Sequence, residues 1–93
     1  MSAETAGAQR LDRWLWHARI VKTRTLAADL VTSGYVRVNG CRAEQPSRVI
    51  KPGDVLTIAL PSRVRVLKVA GILPRRADAS AARRLYEVLT TQA

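Results

Sequence analysis

RLDRWLWHARIVKTRTLAADLVTSGYVRVNG, residues 10–40, holds two short helical patterns, a cationic joint between them and a hairpin signal. Leu11, Trp14, Leu15 and Ala18 recur at i, i+3, i+4 and i+7, which predicts a helix to about residue 21 with that stripe in the core. Thr23 is placed to cap a second helix, whose inward face carries Ala27, Leu30 and Val31, with Gly34 supplying a left-handed C-terminal turn. Tyr35-Val36-Arg37-Val38 then alternates with Val36 and Val38 inward. Asn39-Gly40 is the strongest short hairpin signal, and Cys41-Arg42-Ala43 begins the return strand. At the joint, Lys22-Thr23-Arg24-Thr25 brings the open amides of a helix start, a hydroxyl cap and two cations to one spot, an arrangement that attracts phosphate. Lys22, Thr23 and Arg24 are therefore the first candidate binding residues.

Outward from this unit, residues 1–9 are small and polar without periodicity and are expected to form a disordered leader, with order beginning near Arg10. Downstream, a loop with Pro46 and Ser47 leads to a brief strand over 48–51, the turn Pro52-Gly53-Asp54, a β run over 55–60 and a second turn at Pro61-Ser62. Arg63-Val64-Arg65-Val66 has the period of two of a strand with one wet cationic face, continuing to about residue 69. Gly71 and Pro74 interrupt regular structure, and Arg75-Arg76 falls in the loop. Ser80 is expected to cap a last helix with Ala82, Leu85, Tyr86 and Leu89 inward. The domain division is thus a leader over 1–9 and one domain over 10–90, with a core motif at 10–60 and a strand-and-helix extension at 61–90.

A chain of 93 residues with 47% hydrophobic content suits one small domain with one core. Sixteen Lys plus Arg against seven acids give a net charge of +9, which points to a polyanionic partner. Thirteen of those cations are Arg, whose guanidinium forks onto phosphate oxygens and stacks on bases. The charge divides as +2 over residues 1–31, +2 over 32–62 and +5 over 63–93, so the C-terminal third is expected to help bind.

Enzymatic machinery is not legible. Cys41 has neither a second cysteine nor a base beside it in sequence, and with one histidine there is no soft ligand set for zinc. His17 is assigned no role. Asp12, Asp29, Glu44, Asp54, Asp78 and Glu87 show no spacing that pairs two carboxylates for acid–base work. Asp54 reads as a turn residue, and Asp12 and Asp29 as orienting groups near Arg13 or Arg24. No cofactor or metal is expected. Lacking a secretion signal or a membrane span, the chain is expected in the reducing cytoplasm, with no membrane partner. Trp16 lies opposite the Leu11 stripe and needs another neighbour. Trp16 and Tyr35 are the candidates to stack on an unpaired base, a contact worth ~1–3 kcal/mol, although packing under the C-terminal helix or the hairpin is the favoured role for Trp16.

Thr23-Arg24, Ala27, Leu30-Val31, Gly34, Val36, Val38-Asn39-Gly40, Pro46-Ser47 and Gly53-Asp54 stand in the order and spacing of the ribosomal-protein-S4-like RNA-binding domain, the alpha-L motif, which this stretch resembles. Beyond that module, Arg10-Leu11-Asp12-Arg13-Trp14-Leu15-Trp16, Lys22-Thr23-Arg24, Arg75-Arg76, Ser80 and Leu85-Tyr86-Glu87 resemble the ribosome-associated fifteen-kilodalton heat-shock protein family. The resemblance implies a stand-alone RNA-binding protein that catalyses nothing, recognises ribosomal RNA of the large subunit and aids recycling of free subunits that carry a nascent chain on transfer RNA after stress. It also implies RNA contacts at the second helix start and along the hairpin, here Lys22, Thr23, Arg24, Arg37, Arg13 and Arg42. Similar proteins run on past the last helix in a long basic tail, whereas these residues end at Ala93. The resulting expectation is an α+β fold, with two N-terminal helices on a small sheet and a C-terminal helix closing the other side. Its partners are ribosomal RNA and the large subunit, then transfer RNA, with DNA as a secondary ligand and the protein a monomer. The rival readings are a DNA-binding regulator, since two helices on a short turn mimic a helix-turn-helix, and a detached targeting module of an RNA-modifying enzyme.

Overall fold

The Leu11 stripe folds as its spacing dictates. In a computed structural model, which describes residues 7–91, helices α1 (Leu11–His17) and α2 (Arg24–Thr32) pair and lay one apolar face on a sheet. Strands β2 (Val36–Val38), β3 (Cys41–Arg42), β5 (Val55–Leu60), β6 (Arg63–Val69) and β7 (Tyr86–Thr91) form a sheet of order β3-β2-β5-β6-β7, antiparallel throughout. Two shorter strands, β1 (Gln9–Arg10) and β4 (Val49–Ile50), pair separately. A one-turn helix, α3 (Ala79–Arg83), precedes β7.

Register explains the core. Val38, Leu56 and Leu67 line up across three strands, as do Val36 and Ile58 across two, and all five are buried against Leu11, Trp14, Leu15, Ala27 and Val31 from the helices. Each large side chain so removed from water stabilises the fold by ~1.5–3 kcal/mol. The alternate positions form the outer side of the sheet, where Arg42, Arg37, Thr57 and Val66 stand in one row. The hairpin turn between β2 and β3 has Asn39 at φ 52° and Gly40 at φ 84°, the conformation that Asn-Gly favours. The tip is pinned to the next turn, since Asn39 Nδ2 donates to Asp54 Oδ1 at 3.2 Å and Val55 N donates to Asn39 Oδ1 at 2.9 Å.

Both long helices end in the same way. Gly34, at φ 87°, donates its N–H to Val31 O while Tyr35 N donates to Leu30 O, so the expected left-handed turn closes α2. In α1 the equivalent residue is Arg19, at φ 58°, with Arg19 N bonded to Trp16 O and Ile20 N to Leu15 O. The helix therefore stops at His17, short of residue 21. A side chain in that conformation is costly, and here Arg19 Nε is held by Ala77 O at 2.7 Å.

Two further expectations change. Gln9, assigned to the leader, is 3% exposed, pairs with Ile50 and donates from Nε2 to Leu73 O at 2.8 Å, so a long-range strand and a buried amide contact order it. Residues 1–6 of that leader lie outside the described residues. The C-terminal helix is confined to Ala79–Arg83, with Asp78 rather than Ser80 as its cap, through Ala81 N at 2.8 Å. Tyr86 and Leu89 then lie on a strand: Tyr86-Glu87-Val88-Leu89-Thr90 is rich in β-forming residues, and β6 offers it a free edge. The helical spacing of Leu85, Tyr86 and Leu89 is coincidental, and Leu89 remains 46% exposed.

Candidate nucleic-acid interface

The start of α2 is built locally. Thr23 is extended at φ −138° and ψ 156°, its Oγ1 accepts from Leu26 N at 3.1 Å, and its carbonyl receives Ala27 N at 3.2 Å. The amides of Arg24 and Thr25, first in the helix, have no carbonyl partner within it, and the positive end of the helix dipole adds to them. Lys22 is exposed beside them, and the Arg24 side chain is 39% exposed.

Asp12 organises the cations around this point. It is 3% exposed, and its Oδ1 accepts from Arg13 N at 2.8 Å and from Arg10 Nε at 3.1 Å. Its Oδ2 meets Arg10 Nη2 at 2.9 Å and faces Arg24 Nε at 3.6 Å. One carboxylate thus gathers two guanidinium groups, with Lys22 adding a third positive charge to the same end of the helix pair. Phosphate presented here meets two open amides and an excess of positive charge. Asp12 beside Arg24 is the orienting role expected of it. The part of Arg10 is new, and its signal is the Arg-x-Asp spacing at the start of α1.

The remaining candidates divide. Arg37 projects from the outer side of the sheet and stands directly opposite Arg42 in the β2–β3 register. Like charges so paired repel unless an anion lies across them. The Arg42 guanidinium reaches Gly34, where a methyl group in place of a glycine hydrogen would come within 2.8 Å of its Cζ. Arg42 is thereby placed at the C-terminal end of α2, ~13 Å of helix from Thr23. Arg13 is half-buried on α1 next to the Asp12 cluster. Lys22, Thr23 and Arg24 thus stand at the α2 start and Arg37 and Arg42 on the hairpin, the two locations at which the resemblance puts RNA contacts, with Arg13 on α1 beside Asp12.

The two aromatic candidates differ. Trp16 packs against the core, and the Arg76 guanidinium lies over its ring, 5.8 Å from the centroid. One face of the indole is therefore occupied. Tyr35 is 53% exposed beside a groove of about 360 Å³ that includes Leu30, Leu60 and Pro61. His17 is buried, with Nδ1 against Leu73 O at 2.9 Å, and Cys41 is an exposed free thiol. Asp54 acts as the turn residue. Burial works to raise its pKa, yet the Lys51 amide, the Asn39 side-chain amide and the Lys51 ammonium outweigh it and hold the carboxyl below its ordinary value. Among the described residues no group of three or more His, Cys, Asp or Glu is arranged for a metal, and no helix is long and apolar enough to cross a membrane.

A helix pair closed by a hairpin, with cations gathered at the second helix start, defines a small α+β module suited to polyanions. The chain belongs to the S4 domain family, whose model matches residues 9–56. Over 87 residues it is 39% identical to heat shock protein 15 of Escherichia coli (strain K12), an alignment that covers 94% of this chain and 65% of that protein. The chain thus spans somewhat less than two thirds of that relative's length. It is 32% identical to the RQC P-site tRNA stabilizing factor of Listeria innocua, covering 90% of this chain and 89% of that protein. Among solved structures it is similar to the trimeric heat shock protein 15 of Vibrio cholerae, with a TM-score of 0.82 and 37% identity over 87% of this chain and 81% of the other.

Proposed function

We propose that this protein binds ribosomal RNA of the large ribosomal subunit without catalysing a reaction, and aids the recycling of free subunits that carry a nascent chain on transfer RNA under stress. The observation that carries the reading is the α2 start, where two open amides and the cations of Lys22 and Arg24 meet. Lys22, Thr23 and Arg24 grip the phosphate backbone, Arg37 and Arg42 take a second stretch of it along the hairpin, and Arg13, on α1 next to Asp12, adds a further contact. Tyr35 is the residue placed to stack on an unpaired base, with Trp16 contributing mainly to packing. Membership of the S4 domain family supports the nucleic-acid reading. The Listeria innocua relative, named for stabilising a P-site tRNA, supports transfer RNA as a further partner.

The binding unit proposed is one copy acting in the cytoplasm, although the Vibrio cholerae relative is trimeric, and DNA is a weaker, secondary ligand. Crosslinking in cells followed by sequencing of the bound RNA tests the reading. Wild type is expected to enrich large-subunit ribosomal RNA, and Lys22→Glu plus Arg24→Glu to lose that enrichment. Equal recovery from both proteins contradicts the site, and tighter binding to duplex DNA than to ribosomal RNA at equal salt contradicts the choice of ligand.

A further inference from the structure

The segment between β6 and α3 is strapped onto the end of α1. Trp14 Nε1 donates to Gly71 O at 2.9 Å, Ala77 N donates to His17 O at 3.1 Å, and Arg19 Nε donates to Ala77 O at 2.7 Å. This strap lies outside residues 9–56 that match the S4 domain model, in the third of the chain with the largest positive charge. We propose that the strap is a second nucleic-acid site, one that accepts a single-stranded nucleotide running on from the structured RNA held at the α2 start. The proposal rests on the RNA-binding reading above.

A groove of about 560 Å³ runs along the strap, with Leu73, Pro74 and Ala81 as apolar wall and Arg75 and Arg76 as cationic rim. That volume falls within the ~300–1,000 Å³ of small-ligand pockets. Arg76 is already positioned, its Nε donating to Trp16 O at 3.4 Å and its guanidinium resting over the Trp16 ring, so little side-chain freedom is left to lose on binding. Arg75 is exposed next to it. The acid on the rim, Asp78, has Oδ1 engaged by Ala81 N, and the two arginines leave the rim net positive.

An apolar wall beneath guanidinium groups matches a base splayed from its strand with its phosphate on the rim, and a base locked in a duplex cannot enter such a groove. Position supplies the link to the first site. The strap touches His17 and Arg19, and the chain then runs through Lys22 to the Thr23 cap, so both cationic sites flank one joint.

The test compares two labelled RNA hairpins, one blunt and one with a single-stranded 3′ extension of about six nucleotides, a length within the ~4–16-nucleotide sites of compact single-strand binders. Wild type is expected to bind the extended probe about tenfold more tightly, the worth of one charge-assisted contact. Its log–log salt slope should be steeper by about 0.7 for each extra phosphate held. Arg75→Ala and Arg75→Glu, at an exposed position with the thermal midpoint as control, should remove most of that gain. Equal binding of the two probes by wild type, or a gain that survives both Arg75 variants, overturns the proposal. Lys22→Glu plus Arg24→Glu should weaken both probes together. If it leaves the blunt probe unaffected, the reading of the α2 start fails, and the ratio between probes still measures the strap by itself.

Discussion

Asp12 reaches from α1 to α2: its Oδ2 lies 3.6 Å from Arg24 Nε while the same carboxylate is locked against Arg10 and the Arg13 amide. A buried acid at the centre of a cationic face opposes the binding of a polyanion, but here it fixes the direction of the guanidinium beside the open amides. Asp12→Asn should therefore weaken RNA binding by about 1.4- to fivefold, the range expected of a partly exposed ion pair worth ~0.2–1 kcal/mol. A filter-binding titration decides it, and a gain in affinity on loss of the negative charge would show that Arg24 needs no guide.

Thr23 holds the helix start through a single hydroxyl contact with Leu26 N. Thr23→Ala should cost ~1 kcal/mol, or about 4–8 °C in thermal midpoint for a domain of this size. Thr23→Ser should restore it. Scanning calorimetry of the three proteins is the measurement, and an unchanged midpoint in the alanine variant would remove the cap from the account.

Gly34 has two reasons to be glycine, its φ of 87° and the Arg42 guanidinium that covers it. Arginine can swing aside and the backbone cannot, so Gly34→Ala should cost ~1–2 kcal/mol through the left-handed conformation alone. Adding Arg42→Ala should then give no rescue in urea denaturation. Full rescue would mean that the contact, not the turn, sets the cost.

Asp54 supplies the pH dependence. Its folded pKa lies below the ordinary carboxylate value, so its contribution is complete above the unfolded value of about 4 and is lost as pH falls through the lowered folded value. Asp54→Asn should be less stable than wild type by ~1–2 kcal/mol at neutral pH, from weakened hydrogen bonds to Lys51 and Asn39. The gap should narrow as pH falls below about 4. Denaturation midpoints across that range check the sign, and a gap that widens in acid contradicts it.

The parts of this fold that are legible in sequence are those decided by near neighbours. Leu11, Trp14, Leu15 and Ala18 share a helical face, Thr23 caps three residues ahead, and Asn39-Gly40 turns two strands that touch, so each signal is complete within a few residues. The parts that differ depend on distant partners. Tyr86–Thr91 becomes a strand because β6 leaves an edge open, and Gln9 is ordered by Ile50. Arg19, left-handed where α1 ends, has its side chain held by Ala77, far along the chain.

The candidate site divides along the same line. Lys22, Thr23 and Arg24 stand out because a cap and two flanking cations are neighbours in sequence. The reach of Arg42 to Gly34 and the cover of Trp16 by Arg76 depend on tertiary packing that no local pattern carries. Trp16 opposite the core stripe is a visible anomaly in the sequence, and the strap answers it.

The proposed function has the opening amides of α2, with Lys22 and Arg24, take hold of an RNA backbone. Its most direct test is the salt dependence of binding to a ribosomal RNA fragment. If ~4–6 phosphates are neutralised, log affinity should fall against log salt with a slope near −3 to −5, and Lys22→Ala plus Arg24→Ala should make it shallower by about 1.4–1.8. A wild-type slope near zero, or identical slopes for the two proteins, would contradict it.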